Sequence, residues 1–317
     1  MPLRPAHRVH HIHYVHRVIG TAFRAVLTAA PPVTALVKAL VTAVAAALVA
    51  TLATGAAATP LNAPPRATAG TPPPPDSMAA LGDSITRAFD ACGWYVDCPR
   101  QSWAAGDRPD VNSHYLRIRA KNPAIAGDVH NAAESGATMA DLPGQARLAV
   151  SQHVGYVTTL MGANDACAPS EAAMTPVDAF ERRFRNAMGI LREGLPGTPV
   201  FVASIPDIKR LWRVGKDNRN ARWVWDVADI CQSMLADPRS TDPADVARRD
   251  RVRQRVVDYN AALAQTCREY ANCRYDRGAV FSYPLTLAHV SRWDYFHPNT
   301  AGQAALAEAT YRAGYNW

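Results

Sequence analysis

Residues 78–86 read Met-Ala-Ala-Leu-Gly-Asp-Ser-Ile-Thr. The first four residues are small or apolar and suit a buried strand, and Gly82-Asp83-Ser84 then places a turn and a hydroxyl at the end of that strand. In parallel sheets with helical crossovers, reactive side chains lie in the loops at the carboxyl ends of the strands. The stretch therefore predicts an α/β fold with a reactive serine at the edge of its sheet.

Short apolar runs and longer amphipathic stretches continue to alternate along the chain. The strands predicted from these runs are 78–81, 128–131, 156–161, 200–205 and 278–282. The helices predicted from the longer stretches are 176–193, 245–270 and 300–313. Residues 208–234 have no such pattern and are expected to form an irregular insertion. This alternation favours a parallel sheet covered by helices on both faces.

Almost all of the net positive charge comes from residues that precede the predicted domain. The 317 residues include 34 Lys or Arg and 27 Asp or Glu, for a formal net charge of +7. Six of the basic residues and none of the acidic residues precede Asp76, which leaves 28 basic residues against 27 acidic ones. A domain that binds nucleic acid normally carries a basic face, so the composition excludes a nucleic-acid partner.

The first 76 residues have the composition of an export signal and a linker. Residues 39–58 carry no charge and end in Gly-Ala-Ala-Ala, so we expect 1–58 to be a signal peptide of a secreted protein. The alternative is an uncleaved anchor, because twenty uncharged residues can span a bilayer and hold the protein on the outer face of the membrane. Seven prolines between 60 and 75 place a linker at 59–76, and the folded domain is then 77–317.

Three residues have the chemistry of a nucleophile, a base and an orienting carboxylate. The hydroxyl of Ser84 becomes a useful nucleophile only when a base accepts its proton. The segment 294–297 reads Asp-Tyr-Phe-His, so His297 is the candidate base. Asp294 lies about one turn earlier and can fix the tautomer of the imidazole. The sequence therefore predicts a Ser-His-Asp triad.

Attack of a serine on an ester also requires donors for the oxyanion that forms. Two motifs that follow predicted strands supply candidates, namely residues 131–136, Asn-Ala-Ala-Glu-Ser-Gly, and residues 162–165, Gly-Ala-Asn-Asp. The backbone N–H groups of Ser84 and Gly136 and the side-chain amide of Asn164 are the predicted oxyanion hole.

These residues resemble the motifs of the SGNH, or GDSL-type, esterases and lipases. The family is named for a serine, a glycine, an asparagine and a histidine, which Ser84, Gly136, Asn164 and His297 match. Asp294 matches the aspartate of the family's Asp-x-x-His block, and the match covers about residues 79–300. The resemblance implies a three-layer, flavodoxin-like fold with a five-stranded parallel sheet in the order 2-1-3-4-5. It also implies hydrolysis through an acyl-serine intermediate without a metal or other cofactor.

Two positions depart from the usual family pattern. Ile85 stands where the family name has Leu, and Ala133 stands where a second glycine is common. Neither position supplies a catalytic atom, so the expected chemistry is unchanged. The leader, the linker and the cysteines are similar to those of secreted lipases and esterases of actinomycete type.

Six cysteines suit an exported protein with three disulfides. Fifteen pairings are possible, and the sequence alone does not select one. The hypothesis with the shortest loops pairs Cys92 with Cys98 and Cys267 with Cys273, which leaves Cys167 with Cys231.

The substrate is the open question. Residues 209–225 interleave three tryptophans with arginines, which suits either a cover for a lipid or phospholipid acyl chain or ordinary packing of a helical flap. Carbohydrate O-deacetylation and a non-catalytic surface binding module are the alternatives to a lipase or esterase. An ordinary α/β-hydrolase is excluded because Thr86 replaces the last glycine of Gly-x-Ser-x-Gly. We expect the domain to be a monomer.

Overall fold

The structure is a computed structural model that describes residues 72–315 and 317. The predicted signal peptide or anchor, and residues 59–71 of the predicted linker, lie outside the described residues. Within the part of the chain that is described, no helix is both long enough and apolar enough to cross a membrane.

Five parallel strands form one sheet with the order β2-β1-β3-β4-β5. This order and the α/β class confirm the predicted fold. The strands are β1 (Met78–Gly82), β2 (Val129–Asn131), β3 (Val157–Leu160), β4 (Val200–Val202) and β5 (Cys273–Tyr275).

Ten α-helices among the described residues surround the sheet. The longer helices match the predicted ones to within three residues at each end. They are α1 (Ser84–Arg87), α2 (His114–Arg119), α3 (Leu142–Ser151), α4 (Ala163–Ala166), α5 (Val177–Gly194), α6 (Ile208–Gly215), α7 (Arg219–Val227), α8 (Gln232–Leu235), α9 (Pro243–Cys267) and α10 (Thr300–Ala313).

The centre of the sheet is fully buried because both of its faces are covered. All residues of β1 and β3 are buried, which explains why neither strand contains a charged side chain. Ala79 pairs with Val157 and Gly82 with Leu160, so the two strands end side by side. The loops that follow them therefore emerge together at the carboxyl edge.

The predicted strand at 278–282 is wrong, and the fifth strand lies earlier at Cys273–Tyr275. Its side chains are only partly buried and include the charged Arg274, because β5 is an edge strand, so it has no apolar run to recognise. Residues 278–280 form a turn instead. Their backbone N–H groups donate to the carboxylate of Asp276, from Gly278 at 2.8 Å and from Val280 at 3.0 Å.

The prediction of an irregular segment at 208–234 is also wrong, because this segment forms α6, α7 and α8. The side chain of Asp207 caps α6 by accepting from the N–H of Arg210. Asn218 caps α7 in the same way. Helices of eight and nine residues show too few turns for a clear periodic pattern, but the two caps were visible in the sequence.

Candidate active site

Ser84 lies where β1 ends and α1 begins, on a turn that only glycine permits. Gly82 has φ of +151°, and a Cβ atom there would lie 2.4 Å from both the carbonyl oxygen of Leu160 and Oγ1 of Thr86. The Asp83 carboxylate then accepts a hydrogen bond from the N–H of Ile85 at 2.9 Å and caps the helix. The turn therefore has a fixed backbone conformation.

Two buried glutamines from different helices hold this turn. The side-chain amide of Gln145, on α3, accepts from the N–H of Gly82 at 2.7 Å and donates to its carbonyl at 2.9 Å. Gln303, on α10, donates to the carbonyl of Ile85 at 2.8 Å. Sequence analysis missed both residues. The signal was present for Gln145, which falls on the same helical face as the apolar Leu142 and Ala149.

The structure brings Ser84, His297 and Asp294 into one hydrogen-bonded chain. The Oγ atom of Ser84 lies 2.8 Å from Nε2 of His297. On the other side of the ring, Nδ1 of His297 lies 2.5 Å from Oδ2 of Asp294. Because the carboxylate accepts the Nδ1 proton, Nε2 is free to accept the proton of the serine hydroxyl.

Asp294 is fixed in its ionised form. Its side chain is 4% exposed, and burial alone would raise its pKa. The hydrogen bond to His297, together with those that Oδ1 accepts from the N–H groups of Phe296 and His297, instead holds the pKa of Asp294 below its ordinary value. The carboxylate therefore stays charged beside the imidazole.

The candidate oxyanion donors are oriented in different ways. The N–H of Ser84 belongs to the first turn of α1 and has no partner within that helix. Gly136 has φ of +87°, and no heavy atom lies within 4 Å of the position that a Cβ would occupy, so the side on which its Cβ would lie is open. The Asn164 amide donates to the carbonyl of Ala137 at 2.8 Å, which fixes the plane of the amide. Its second N–H is then available to donate to a substrate.

Asp165 has a structural position beside these donors. Its Oδ2 accepts from the N–H of Met139 at 2.8 Å, which ties α4 to the loop that carries Gly136. Burial raises the pKa of Asp165 above its ordinary value. The structure therefore places Asp165 next to the oxyanion donors as a brace between two loops.

An apolar cavity is lined by sequence neighbours of the site residues, although Ser84, His297 and Asp294 themselves do not line it. Ile85, Ala163 and Phe296 line it, and each is the neighbour in sequence of one of the residues Ser84, Asn164 and His297. The remaining wall is mostly apolar and comes from α6, the turn at 280–289 and α10. Such a cavity suits the apolar part of a small molecule.

The three tryptophans of the segment 209–225 do not line this cavity. Trp225 is 1% exposed and donates from its indole N–H to the carbonyl of Tyr295 at 3.0 Å. Trp212 donates to the carbonyl of Pro238, and Trp223 is 67% exposed. The contacts of Trp212 and Trp225 favour packing of a helical flap over a cover for an acyl chain, and Trp225 supports the segment that carries Asp294 and His297.

The six cysteines form three disulfides, Cys92–Cys98, Cys167–Cys231 and Cys267–Cys273. Cys167 ends α4, the helix that contains Asn164, and Cys231 precedes α8. Among the residues that the structure describes, no group of three or more His, Cys, Asp or Glu side chains could hold a metal ion.

The parallel sheet and the Ser-His-Asp chain at its carboxyl edge define an α/β protein with the side-chain arrangement that serine hydrolases use. The model of the family described as GDSL-like lipase/acylhydrolase matches residues 78–310. The chain therefore belongs to this family of ester hydrolases, which confirms the resemblance found in the sequence.

Solved structures with a similar fold include two esterases. A mutant of an acetyl-xylooligosaccharide esterase from Geobacillus stearothermophilus is 18% identical, with 74% of this chain and 92% of that chain covered and a TM-score of 0.46. The psychrotrophic esterase EstA from Pseudoalteromonas sp. is 15% identical, with 75% of this chain and 96% of that chain covered and a TM-score of 0.41. No curated protein sequence matches the chain at a significant level.

Proposed function

We propose that the protein is a secreted serine esterase or lipase that hydrolyses carboxylic esters through an acyl-serine intermediate. The observation that carries the proposal is the unbroken hydrogen-bonded chain from Ser84 Oγ through His297 to Asp294, with distances of 2.8 Å and 2.5 Å. In the proposed roles Ser84 is the nucleophile, His297 the base and Asp294 the orienting carboxylate. The N–H groups of Ser84 and Gly136 and the Asn164 amide stabilise the oxyanion.

The reaction then has two balanced halves. Ser84 Oγ bonds to the acyl carbon while its proton moves to Nε2 of His297, and that proton passes to the departing alcohol oxygen as the ester C–O bond breaks. Water next attacks the acyl-serine and gives its proton to His297, which returns it to Ser84 Oγ as the carboxylic acid leaves. Each half passes through an oxyanion that the same three donors stabilise.

The apolar cavity beside Ser84 supports an ester with an apolar acyl group, as in a lipid or phospholipid. Its wall is mostly apolar, with Ile85, Leu211 and Leu306 among its residues, and its polar side chains are those of Asp207, Arg210, Tyr283 and His289. A membrane-facing location is compatible with such a substrate, whether residues 1–58 are removed or residues 39–58 remain as an anchor. The three disulfides support export to an oxidising compartment.

A carbohydrate ester is the second candidate substrate because two exposed tryptophans lie near Asp294. The rings of Trp94 and Trp293 meet edge to face at 5.4 Å, with exposed fractions of 70% and 42%. Exposed indole rings of this kind offer apolar faces with a polar edge, which suits the face of a sugar ring. The acyl-chain preference of the enzyme separates the two candidates, since carbohydrate O-deacetylation requires only acetate.

The decisive experiment compares the wild-type protein with Ser84→Ala on p-nitrophenyl esters from acetate to long acyl chains. We expect the variant to fold and to lose at least about 10³-fold in kcat, because the nucleophile is absent. Ser151→Ala, an exposed serine at the end of α3, is the matched control and should retain full activity.

Two results would contradict the proposed function. One is equal activity in the wild type and in Ser84→Ala. The other is a folded wild-type protein that hydrolyses no ester and that no serine-reactive phosphonate labels, which would leave a non-catalytic binding module.

A further inference from the structure

Asp90 is a buried acid that the proposed mechanism does not use. The residue is 2% exposed, and neither of its carboxyl oxygens accepts a hydrogen bond from the described part of the chain. A buried carboxylate without donors is costly, because the charge loses its hydration and gains nothing in return. The Asp90 carboxyl must therefore either carry a proton or interact with another polar group.

The segment that carries Asp90 packs on the segment that carries Asp294, with the Phe89 ring 4.9 Å from that of His297 and the Tyr95 hydroxyl 2.7 Å from the carbonyl of Trp293. The carboxyl of Asp294 is the group whose charge and side-chain contact raise the pKa of Asp90. Two carboxylates in contact repel each other, and the contact becomes attractive when one of them carries a proton. Asp294 already accepts hydrogen bonds from His297 and from two backbone N–H groups, so it is the poorer site for that proton. The proton therefore belongs on Asp90, from which it can be donated to Asp294.

The titration of the two acids agrees with this assignment. Burial, and then the charge and contact of Asp294, raise the pKa of Asp90 to about 6, and these effects outweigh the backbone N–H of Tyr95 and the charge of His297, which lower it. The pKa of Asp294 is instead held below its ordinary value by its hydrogen bonds. His297 and the Tyr95 phenol also face this pair, and Tyr95 donates its own hydroxyl to the carbonyl of Trp293 at 2.7 Å.

The backbone around Asp90 holds its side chain inward. Asp90 has φ of +61°, a conformation that costs energy for a residue other than glycine and tends to be kept where function requires it. Its N–H donates to the carbonyl of Val96 at 2.9 Å, within the loop that the Cys92–Cys98 disulfide closes. The preceding residue, Phe89, packs its ring 4.9 Å from the ring of His297.

We propose that Asp90 is a positioning residue of this site, whose carboxyl shares a proton with Asp294 and thereby holds Asp294 in the orientation that His297 requires. The inference rests on the proposed function, since it concerns the same hydrogen-bonded chain. When Asp90 loses its proton, it no longer donates to Asp294, and two negative carboxylates then repel each other. Asp90 thus links the pH dependence of the site to a residue that does not touch substrate.

The first test measures kcat and KM from pH 4 to pH 9 for the wild type, Asp90→Asn and Asp90→Leu. The asparagine amide still donates to Asp294 but does not titrate. For Asp90→Asn we therefore expect kcat within about threefold of wild type and a plot of kcat against pH without an inflection near pH 6. Leucine has the same branching and number of heavy side-chain atoms but no donor, so kcat should fall by about tenfold or more with KM within about twofold.

Two kinetic outcomes overturn the proposal. One is a wild-type kcat and pH profile in both variants. The other is an equal loss in Asp90→Asn and Asp90→Leu with the wild-type profile retained, which would mean that Asp90 acts through shape alone. Asp97→Asn is the matched control, because Asp97 lies near Asp90, in the loop closed by Cys92 and Cys98, but pairs with Arg87 and Ser135.

A second test does not depend on activity. Proton NMR of the full-length protein should show a far-downfield signal for the proton between His297 Nδ1 and Asp294, given their separation of 2.5 Å. In the wild type this signal should shift as Asp90 titrates near pH 6, and in Asp90→Asn that shift should be absent. Identical titrations in the two proteins overturn the proposal. If no ester is hydrolysed, the proposed function fails, while this signal still reports on the pair of acids.

Discussion

The carboxyl of Asp83, the residue before Ser84, has a strongly raised pKa because it is buried. It is fully buried, and only Oδ1 is hydrogen-bonded, to the N–H of Ile85. Burial raises the pKa of Asp83 from 3.8 to about 7. The group therefore titrates near neutral pH in the folded protein and about three units lower in the unfolded chain.

We expect Asp83→Asn to change the pH dependence of stability in one direction. Because the folded state binds this proton more tightly, the stability that Asp83 contributes is present below pH 4 and is lost as the pH rises through about 7. Asparagine keeps the oxygen that caps α1 and carries no charge. The unfolding free energy of the variant relative to wild type should therefore rise by about 2–4 kcal/mol between pH 4 and pH 8.

Urea unfolding with the disulfides intact measures this difference at the two pH values. Asp107→Asn, which changes an exposed carboxylate, is the control. If Asp83→Asn behaves like that control, the buried carboxyl is not the group that titrates.

The candidate reactive residues could be found from the sequence one residue at a time, but the residues that hold them could not. Ser84, Asn164 and the pair of Asp294 and His297 stand in short motifs whose chemistry is recognisable without coordinates. Gln303 and Asp90 have no such motif, because their partners lie 218 and about 200 residues away in the sequence. Only the folded chain shows that these polar groups are buried against the site.

At the scale of elements, α10 links the turn that carries Ser84 to the apolar cavity. Gln303 on this helix holds the backbone at Ile85, and Ala305 and Leu306, one turn or less further on, line the cavity wall. The same helix thus fixes the position of the serine turn and the shape of the space beside it.

We expect Ala305→Leu to shorten the preferred acyl chain. The larger side chain occupies part of the cavity, so kcat/KM for octanoate should fall by about tenfold while that for acetate changes by less than about threefold, in line with the energy of a few buried methylenes. Ala304→Leu, on the same helix but outside the cavity wall, is the matched control. A series of p-nitrophenyl esters gives the measurement, and an equal loss for all chain lengths would show that the acyl group binds elsewhere.

Elements were predictable where burial imposes a pattern on the sequence. The central strands β1, β3 and β4 are completely buried and carry no charged side chain, so their positions could be predicted from composition, although β3 includes Thr158 and Thr159. The edge strand β5 is half exposed and was missed, and the turn after it was mistaken for a strand. Short helices such as α6 depend on contacts with α8 and α9, which a local pattern does not contain.

At the scale of the molecule, strand order determines which loops meet. Because β1 lies between β2 and β3, the loops after these three strands share one edge of the sheet and bring Ser84, Gly136 and Asn164 to the same region. The histidine arrives from a distant segment, 213 residues after the serine. The family resemblance supplied this arrangement in advance, since the strand order does not follow from periodicity alone.

The long disulfide stabilises this arrangement more than the two short ones. Cys167 and Cys231 are separated by 64 residues, whereas the other two bridges close loops with separations of 6. If a disulfide acts mainly by limiting the unfolded chain, the long loop contributes about 4 kcal/mol and a short loop about 2 kcal/mol. Ser233 reinforces the same junction by donating from Oγ to the carbonyl of Ala166 at 2.7 Å.

We therefore expect Cys167→Ala with Cys231→Ala to lower the unfolding free energy by about 3–4 kcal/mol, and Cys267→Ala with Cys273→Ala by about 2 kcal/mol. Urea unfolding of the two double variants at one pH makes the comparison, and neither variant leaves a free thiol at the altered pair. Because the bond from Ser233 to Ala166 remains, α4 should keep its place and kcat should stay within about threefold of wild type. Equal losses of stability would mean that strain or residual structure, rather than loop length, controls the contribution of these bridges. A large fall in kcat with a small loss of stability would instead mean that the bridge positions Asn164 directly.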